Sequence, residues 1–350
     1  MKKLDGQHPR RCSRGRWQEA HGFSLIEVMA ALFISAFVAL SAYTLMSTQQ
    51  RASAVNTRVT EMQQNARVAV ELITQDLRTA GFGMAGAVGA CNTAIVPADQ
   101  NTGGVDSNAD SISIVVPTEI GTLSAQFDGG PVANVINLFG GEVTASGIAI
   151  GDSISINGLV ARTVATLPGD PALGLNTNVG APATFPVGTP VYWLQCVAYQ
   201  ISTNVATCGG ANTCLLRNGV PIADGIEDLQ FAYACDGCGP TPPNPAFVDE
   251  LIDDQNGNGA FDGGDFIFDD AWGTAPKVPD TIRLVRMSIV ARELQAGGTS
   301  EDGTVPVSSP VPLQVEDHNH LNAAWYNAAT YPQFRRRAMT RTVEIRNLGL

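Results

Sequence analysis

The chain has 350 residues, 44% of them hydrophobic, with 36 Gly, 20 Pro and a formal net charge of −12. That length and apolar content suffice for a long helix plus one sizeable domain with its own core. The acidic balance argues against a nucleic-acid backbone as the main partner, and direct nucleic-acid contact is not expected.

Residues 1–22 carry Lys2, Lys3, Arg10, Arg11, Arg14 and Arg16 against Asp5 and Glu19, and have no apolar core. A secretory signal peptide places its apolar stretch before the cleavage site. Here the order is reversed: Gly22-Phe23-Ser24-Leu25-Ile26-Glu27 precedes an almost unbroken apolar run, Val28 to Met46. A cut between Gly22 and Phe23 therefore leaves the apolar run on the mature chain. As a helix rising about 1.5 Å per residue it spans a bilayer core about 30 Å thick, with the basic leader on the cytoplasmic side. Over the helix from Phe23 to Met46, Glu27 is the one charged residue. A carboxylate in hydrocarbon costs about 2.5–3.5 kcal/mol on the mildest scale, so Glu27 is expected to have a partner. The new α-amine of Phe23 in a neighbouring copy supplies one. Without the leader the chain keeps 15 basic and 31 acidic residues, a formal charge of −16 that suits an extracytoplasmic surface.

Beyond the apolar run, Val55, Val59, Met62, Ala66, Ala69, Ile73 and Leu77 recur at steps of three and four. That spacing makes one apolar stripe, with Arg58, Glu61, Gln64, Glu71, Gln75 and Arg78 largely on other faces. No proline interrupts the stretch, and Gly81 and Gly83 offer a stop. A helix from Phe23 to Ala80 would be about 87 Å long. Its first half belongs in membrane or filament core, and its second half packs on a head.

From residue 81 the texture changes to short β-like runs between Gly, Pro, Asn and Asp. The clearest are Ser111–Val116, Val132–Leu138, Asp152–Ile156, Val191–Ile201, Ile226–Tyr233, Ile282–Arg292 and Arg341–Arg346. Several alternate apolar with polar, as antiparallel strands with one wet face do. The expected class is α+β: leader 1–22, helix 23–80 with a membrane segment near 28–46, and a β-rich head over 81–350. No Walker-type loop or dinucleotide fingerprint is present.

Cys12 leaves with the leader, and Cys91, Cys196, Cys208, Cys214, Cys235 and Cys238 remain. An even count in an exported domain favours disulfides, although sequence alone does not choose the connectivity. Closing the short loops pairs Cys208 with Cys214 and Cys235 with Cys238, leaving Cys91 with Cys196. The rival is zinc at Cys235-Asp-Gly-Cys238, which lacks a second closely spaced ligand pair.

Asp253 to Asp265 reads Asp-Asp-Gln-Asn-Gly-Asn-Gly-Ala-Phe-Asp-Gly-Gly-Asp. Counted from Asp254, side-chain oxygens fall at the first, third, fifth, ninth and twelfth positions of a calcium loop, and Gly259 takes the sharp sixth. The expected ligands are Asp254, Asn256, Asn258, the carbonyl of Ala260, Asp262 and Asp265. Asp265 stands where the longer Glu usually gives bidentate coordination, which predicts weaker binding. The loop resembles that of an EF-hand, but its flanks are not helical.

His318-Asn-His320 reads as a solvated polar loop. Arg335, Arg336 and Arg337 read as partners for carboxylates of the head or of a neighbouring subunit. No nucleophile, base and orienting group come together in the sequence, so no catalytic site is expected.

The leader, the hexapeptide Gly22 to Glu27 and the apolar helix together resemble the class III signal of type IV prepilins and type II secretion pseudopilins. Four further islands resemble the PilW family of minor pilins. These are Glu61–Arg67 with Asp76–Phe82, Ile222–Phe231, Ile282–Ser288, and Arg336-Arg337 through Arg346-Asn347. The resemblance implies a peptidase that cuts after Gly22 and methylates Phe23, and an assembly role for Glu27. It implies a non-enzymatic subunit anchored once in the inner membrane, head in the periplasm, later in the pilus at the cell surface. Its partners would be other minor and major pilins and the inner-membrane assembly machinery. Rival readings are a minor pseudopilin of the GspJ kind and a calcium-dependent anchored adhesin.

Overall fold

The computed structural model describes residues 24–98, 106, 108–128, 134–139, 143, 146–176, 184–239, 248–268, 272–273, 275–295, 312–323 and 325–347. Gly22 and Phe23, the expected cleavage site, lie outside them. The chain divides into two units, residues 1–55 and 56–350.

Helix α1 runs Leu25–Thr79, close to the expected bounds. Its start has a physical cause in the Ser24-Leu25-Ile26-Glu27 sequence. Ser24 Oγ accepts the Ile26 N–H at 3.2 Å, and the Glu27 carboxylate accepts the Ser24 N–H at 3.2 Å, which is the reciprocal capping pattern of a serine three residues before a glutamate. In the first unit every side chain from Ser24 to Met46 is exposed. This helix is long and apolar enough to cross a membrane, with a mean hydropathy of 2.2 over its best window.

In the second unit the same helix becomes amphipathic and buries Met62, Ala66, Ala69, Val70, Ile73 and Leu77. The apolar stripe of the sequence is this buried face, with Val59 partly covered. The helix stops before Gly81 and Gly83, whose φ values of 73° and 71° suit glycine.

The strands are β1 (Ile95–Ala98), β2 (Ser111–Thr122), β3 (Phe127–Asp128), β4 (Val135–Asn137), β5 (Ser153–Ile156), β6 (Val160–Gly169), β7 (Ala172–Leu175) and β8 (Thr184–Phe185). They continue with β9 (Pro190–Ser202), β10 (Cys214–Arg217), β11 (Val220–Asp224), β12 (Ile226–Cys235), β13 (Ile282–Arg292), β14 (Gln314–Val315), β15 (His318–Asn319) and β16 (Arg336–Glu344). All pairings among them are antiparallel. The architecture is therefore α+β, as expected.

Strand β9 organises the larger sheet. Along one edge it pairs with β2; on the other, β5 pairs with its first half and β10 with its second. The smaller sheet has the order β12-β13-β16. The main core joins the buried face of α1 to Ile112, Ile114, Val197 and Tyr199 of the large sheet and to Leu229, Phe231, Val285, Met287 and Ile289 of the small one. Burying each such side chain contributes about 1.5–3 kcal/mol, so this face holds the helix in place. A second core, including Ile120, Leu123, Ile154, Val164, Leu173 and Val191, contains no residue of α1.

Strand β16 begins five residues before the expected Arg341 and ends before Arg346. Its burial is slight except at Val343, and apolar alternation is missing from its first five residues, Arg336 to Thr340. Strands β3, β8, β14 and β15 have two residues each, too short to carry any periodicity.

Cys91 is bonded to Cys196, Cys208 to Cys214 and Cys235 to Cys238, with Cα atoms 5.5, 5.6 and 5.9 Å apart. The pairing is the one that closes the short loops. It takes Cys235 and Cys238 into a disulfide, which removes the thiolates that zinc would need there.

Candidate functional site

The acidic loop is suspended from the end of β12. The Asp253 N–H donates to the Cys235 carbonyl at 2.9 Å, and Tyr233 and Ile267 exchange backbone hydrogen bonds of 3.0 and 2.8 Å. Asp253 itself accepts the N–H groups of Cys238 and Gly239 at 2.9 and 3.0 Å. It holds the base of the loop and is not one of its expected ligands.

Within the loop, Asp254 accepts backbone N–H groups of Gly257, Asn258 and Gly259 at 2.7, 3.3 and 2.6 Å. Gly259 at φ 89° makes the sharp turn. Asp265 accepts from Asn256 N at 3.0 Å and Asp262 N at 2.6 Å, which closes the far end. The side-chain amides of Asn256 and Asn258 donate to Asp262 at 3.1 and 2.7 Å. With the Gly264 N–H, the largest contributor, they hold the Asp262 carboxyl below the usual carboxylate range. The donor set consists of hard oxygens of the kind calcium takes. Among the described residues, the carboxylates of Asp254, Asp262 and Asp265 do not form one of the groups whose ligand atoms all lie within 4.8 Å of one another.

The histidines differ from the sequence expectation. His318 and His320 are fully buried, not solvated. Their burial is made tolerable by a partner 90 residues away in sequence: His318 Nδ1 and His320 Nε2 lie 3.0 and 2.9 Å from the same oxygen, Oδ2 of Asp228, which is also fully buried. Burial alone would raise the Asp228 carboxyl, but the two imidazoles override it and hold it well below the usual range. Asp228 Oδ1 accepts the Leu229 N–H at 2.8 Å and the Gln230 side-chain amide at 3.0 Å. The Tyr331 hydroxyl lies 3.0 Å from His320 Nδ1.

The Ile222–Phe231 segment is where these contacts meet. Gly225 sits at φ 72°, and a Cβ there would come within 2.6 Å of the Arg292 carbonyl, so only glycine fits the turn from β11 to β12. The Asp224 carbonyl just before it accepts from Asn65 of α1 at 3.0 Å. Glu227 accepts from Arg292 Nη1 at 3.2 Å and Arg336 Nη2 at 3.0 Å. Arg335 lies 3.6 Å from Glu293, so two members of the arginine triplet pair with carboxylates of the head, one of the two alternatives the sequence offered. Every residue of β12 is buried. The polar Glu227, Asp228 and Gln230 in an otherwise apolar strand were the legible sign that buried partners existed.

The N-terminal segment offers different chemistry: an exposed apolar helix with one carboxylate, Glu27, near its start. Comparison with protein families matches residues 194–347 to the type IV pilus-assembly protein W family and residues 18–43 to the prokaryotic N-terminal methylation motif. No curated protein and no solved structure matches the chain.

Proposed function

The chain is a PilW-like prepilin with a class III signal, and from that premise we propose that it is a minor pilin that primes assembly of the type IV pilus and stays at the filament tip. Prepilin peptidase cuts after Gly22 and methylates the amine of Phe23. The apolar helix then stores the subunit in the inner membrane, head in the periplasm, until other minor and major pilins replace lipid around it.

The observation that carries this reading is the full exposure of the helix from Ser24 to Met46, followed by burial of the same helix from Met62 to Leu77. An apolar surface of that extent calls for membrane or protein cover. Glu27 gives the cover a register. Its carboxylate already accepts the Ser24 N–H, and an ionised carboxylate has further lone pairs for a neighbour's α-amine. Mass spectrometry of the N-terminal peptide from membrane and sheared surface fractions tests the proposal. A methylated Phe23 start in both fractions supports it; an intact Met1 start in healthy cells overturns it. Loss of exoprotein secretion on deletion, with twitching motility intact, would make the filament a pseudopilus. Loss of adhesion with piliation unchanged would make the protein an anchored adhesin.

A calcium ion in the loop belongs to the same proposal, with Asp254, Asn256, Asn258, the Ala260 carbonyl, Asp262 and Asp265 as its oxygen donors. The three backbone N–H groups gathered on Asp254 and the turn at Gly259 support that reading.

A further inference from the structure

We propose that Asp228, His318 and His320 form a structural site for a divalent cation of the zinc class, which clips the segment 313–331 onto β12. The three ligand atoms lie within 4.8 Å of one another on fully buried side chains. Two imidazole nitrogens with one carboxylate oxygen are a zinc donor set, and the nitrogens disfavour calcium or magnesium.

Hydrogen bonding alone leaves this cluster incomplete. A neutral imidazole has one N–H and one lone pair. His320 uses both, with Asp228 at one nitrogen and the Tyr331 hydroxyl at the other. That hydroxyl also accepts the Leu313 N–H at 3.1 Å, so it donates to His320.

His318 cannot be satisfied in this way. Its Nδ1 faces the Asp228 carboxylate at 3.0 Å and the Gln230 amide nitrogen at 3.0 Å, which make opposite demands on it. Among the described residues its buried Nε2 has no hydrogen-bond partner, and neither has Gln230 Oε1. Turning the Gln230 amide over would set its oxygen against the Asn108 carbonyl and Asp228 Oδ1, which its nitrogen now serves. The conflict at His318 Nδ1 therefore stands. A cation removes it by taking the His318 Nδ1 lone pair and the Asp228 carboxylate together.

The fit requires little movement. Ligand atoms around a tetrahedral zinc at about 2.0 Å are about 3.3 Å apart. The two imidazole nitrogens now lie 3.0 and 2.9 Å from the carboxylate oxygen, so on these two edges an opening of a few tenths of an ångström suffices. The orienting contacts of a metal site are in place as well: Tyr331 on His320 and the Leu229 N–H on Asp228. A cavity of about 410 Å³ lined in part by Asn108, Gln200, Glu227 and Trp325 lies nearby. Trp325 packs edge-on to His320 at 4.9 Å between ring centroids.

The test uses the full mature chain in detergent, stripped with a chelator, held in excess calcium and titrated with zinc against a chromophoric competitor. We expect one tightly bound equivalent. Asp228→Asn and His320→Gln should each weaken it by about 10–100-fold, while Asp254→Ala in the acidic loop leaves it unchanged. X-ray absorption at the zinc edge of the unmutated protein should show imidazole and oxygen ligands, which keeps the test decisive if a variant fails to fold. No bound zinc, binding indifferent to both variants, or an edge without imidazole would each overturn the site.

Discussion

The hydroxyl of Tyr199 on β9 donates to the Asp76 carboxylate of α1 across 2.6 Å, and Arg217 of β10 completes the group with Nη2 3.0 Å from the same carboxylate oxygen. Asp76 is the one acidic residue on the buried, mostly apolar face of the helix, so it is a fixed point between helix and sheet. Arg217→Ala leaves the buried carboxylate with the phenol alone and should cost about 2–3 kcal/mol in denaturant unfolding. An unchanged unfolding midpoint would mean that water replaces the guanidinium without loss.

The same contact has a pH consequence. Burial, and then Asp76, push the Tyr199 phenol above its ordinary range. The unfolded chain therefore loses this proton first, at about pH 10. Stability present below that pH should decline as pH rises further. Tyr199→Phe should flatten this alkaline loss, which thermal unfolding from pH 8 to 11 would detect.

Glu27 has two separable roles, because its carboxylate caps its own helix as well as being available to a neighbour. Glu27→Gln keeps an oxygen for the Ser24 N–H and removes the charge. Surface piliation should fall in both Glu27→Gln and Glu27→Ala while cleavage after Gly22 proceeds. Wild-type piliation in Glu27→Gln would reduce the residue to a helix cap.

The Arg336 side chain is buried, donates to Glu227, and through Nη1 serves the carbonyls of Tyr331 and Phe334 at 2.6 and 3.1 Å. Its guanidinium also stacks over the Tyr331 ring at 3.5 Å. Arg336→Ala should cost about 3–5 kcal/mol. Arg336→Lys should recover little, since an ammonium lacks the planar fork. Full rescue by lysine would show that charge alone matters.

For the acidic loop, isothermal titration of the mature chain with calcium should give heat that vanishes in Asp254→Ala. Asp265→Glu, which restores the longer side chain at the last position, should tighten binding. Silence at millimolar calcium in the unmutated protein would dispose of the ion.

The long helix was legible because its stripe repeats over six turns and its stops are glycines, so local chemistry and tertiary packing agree. The acidic loop was legible for a related reason: its spacing is a local property. The histidine cluster was not. Whether His318 and His320 face water depends on Asp228, ninety residues away, and nothing in Asp317 to Leu321 announces it. Asp76 was hidden in the same sense, a polar residue inside an apolar stripe whose partners sit on β9 and β10. Strand β16 was legible only from Arg341 onward; its first five residues, Arg336 to Thr340, join because β13 offers them an edge.

The second core has a consequence for how such a head diversifies. The family match begins at Leu194, and that is where β9 changes allegiance: Val191 lies in the second core, while Val197 and Tyr199 lie in the core shared with the helix. Two strands, β2 and β9, thus stitch a chassis that grips the helix to a cartridge that does not. The cartridge can be resized or exchanged along this seam while the part that grips the helix keeps its gauge.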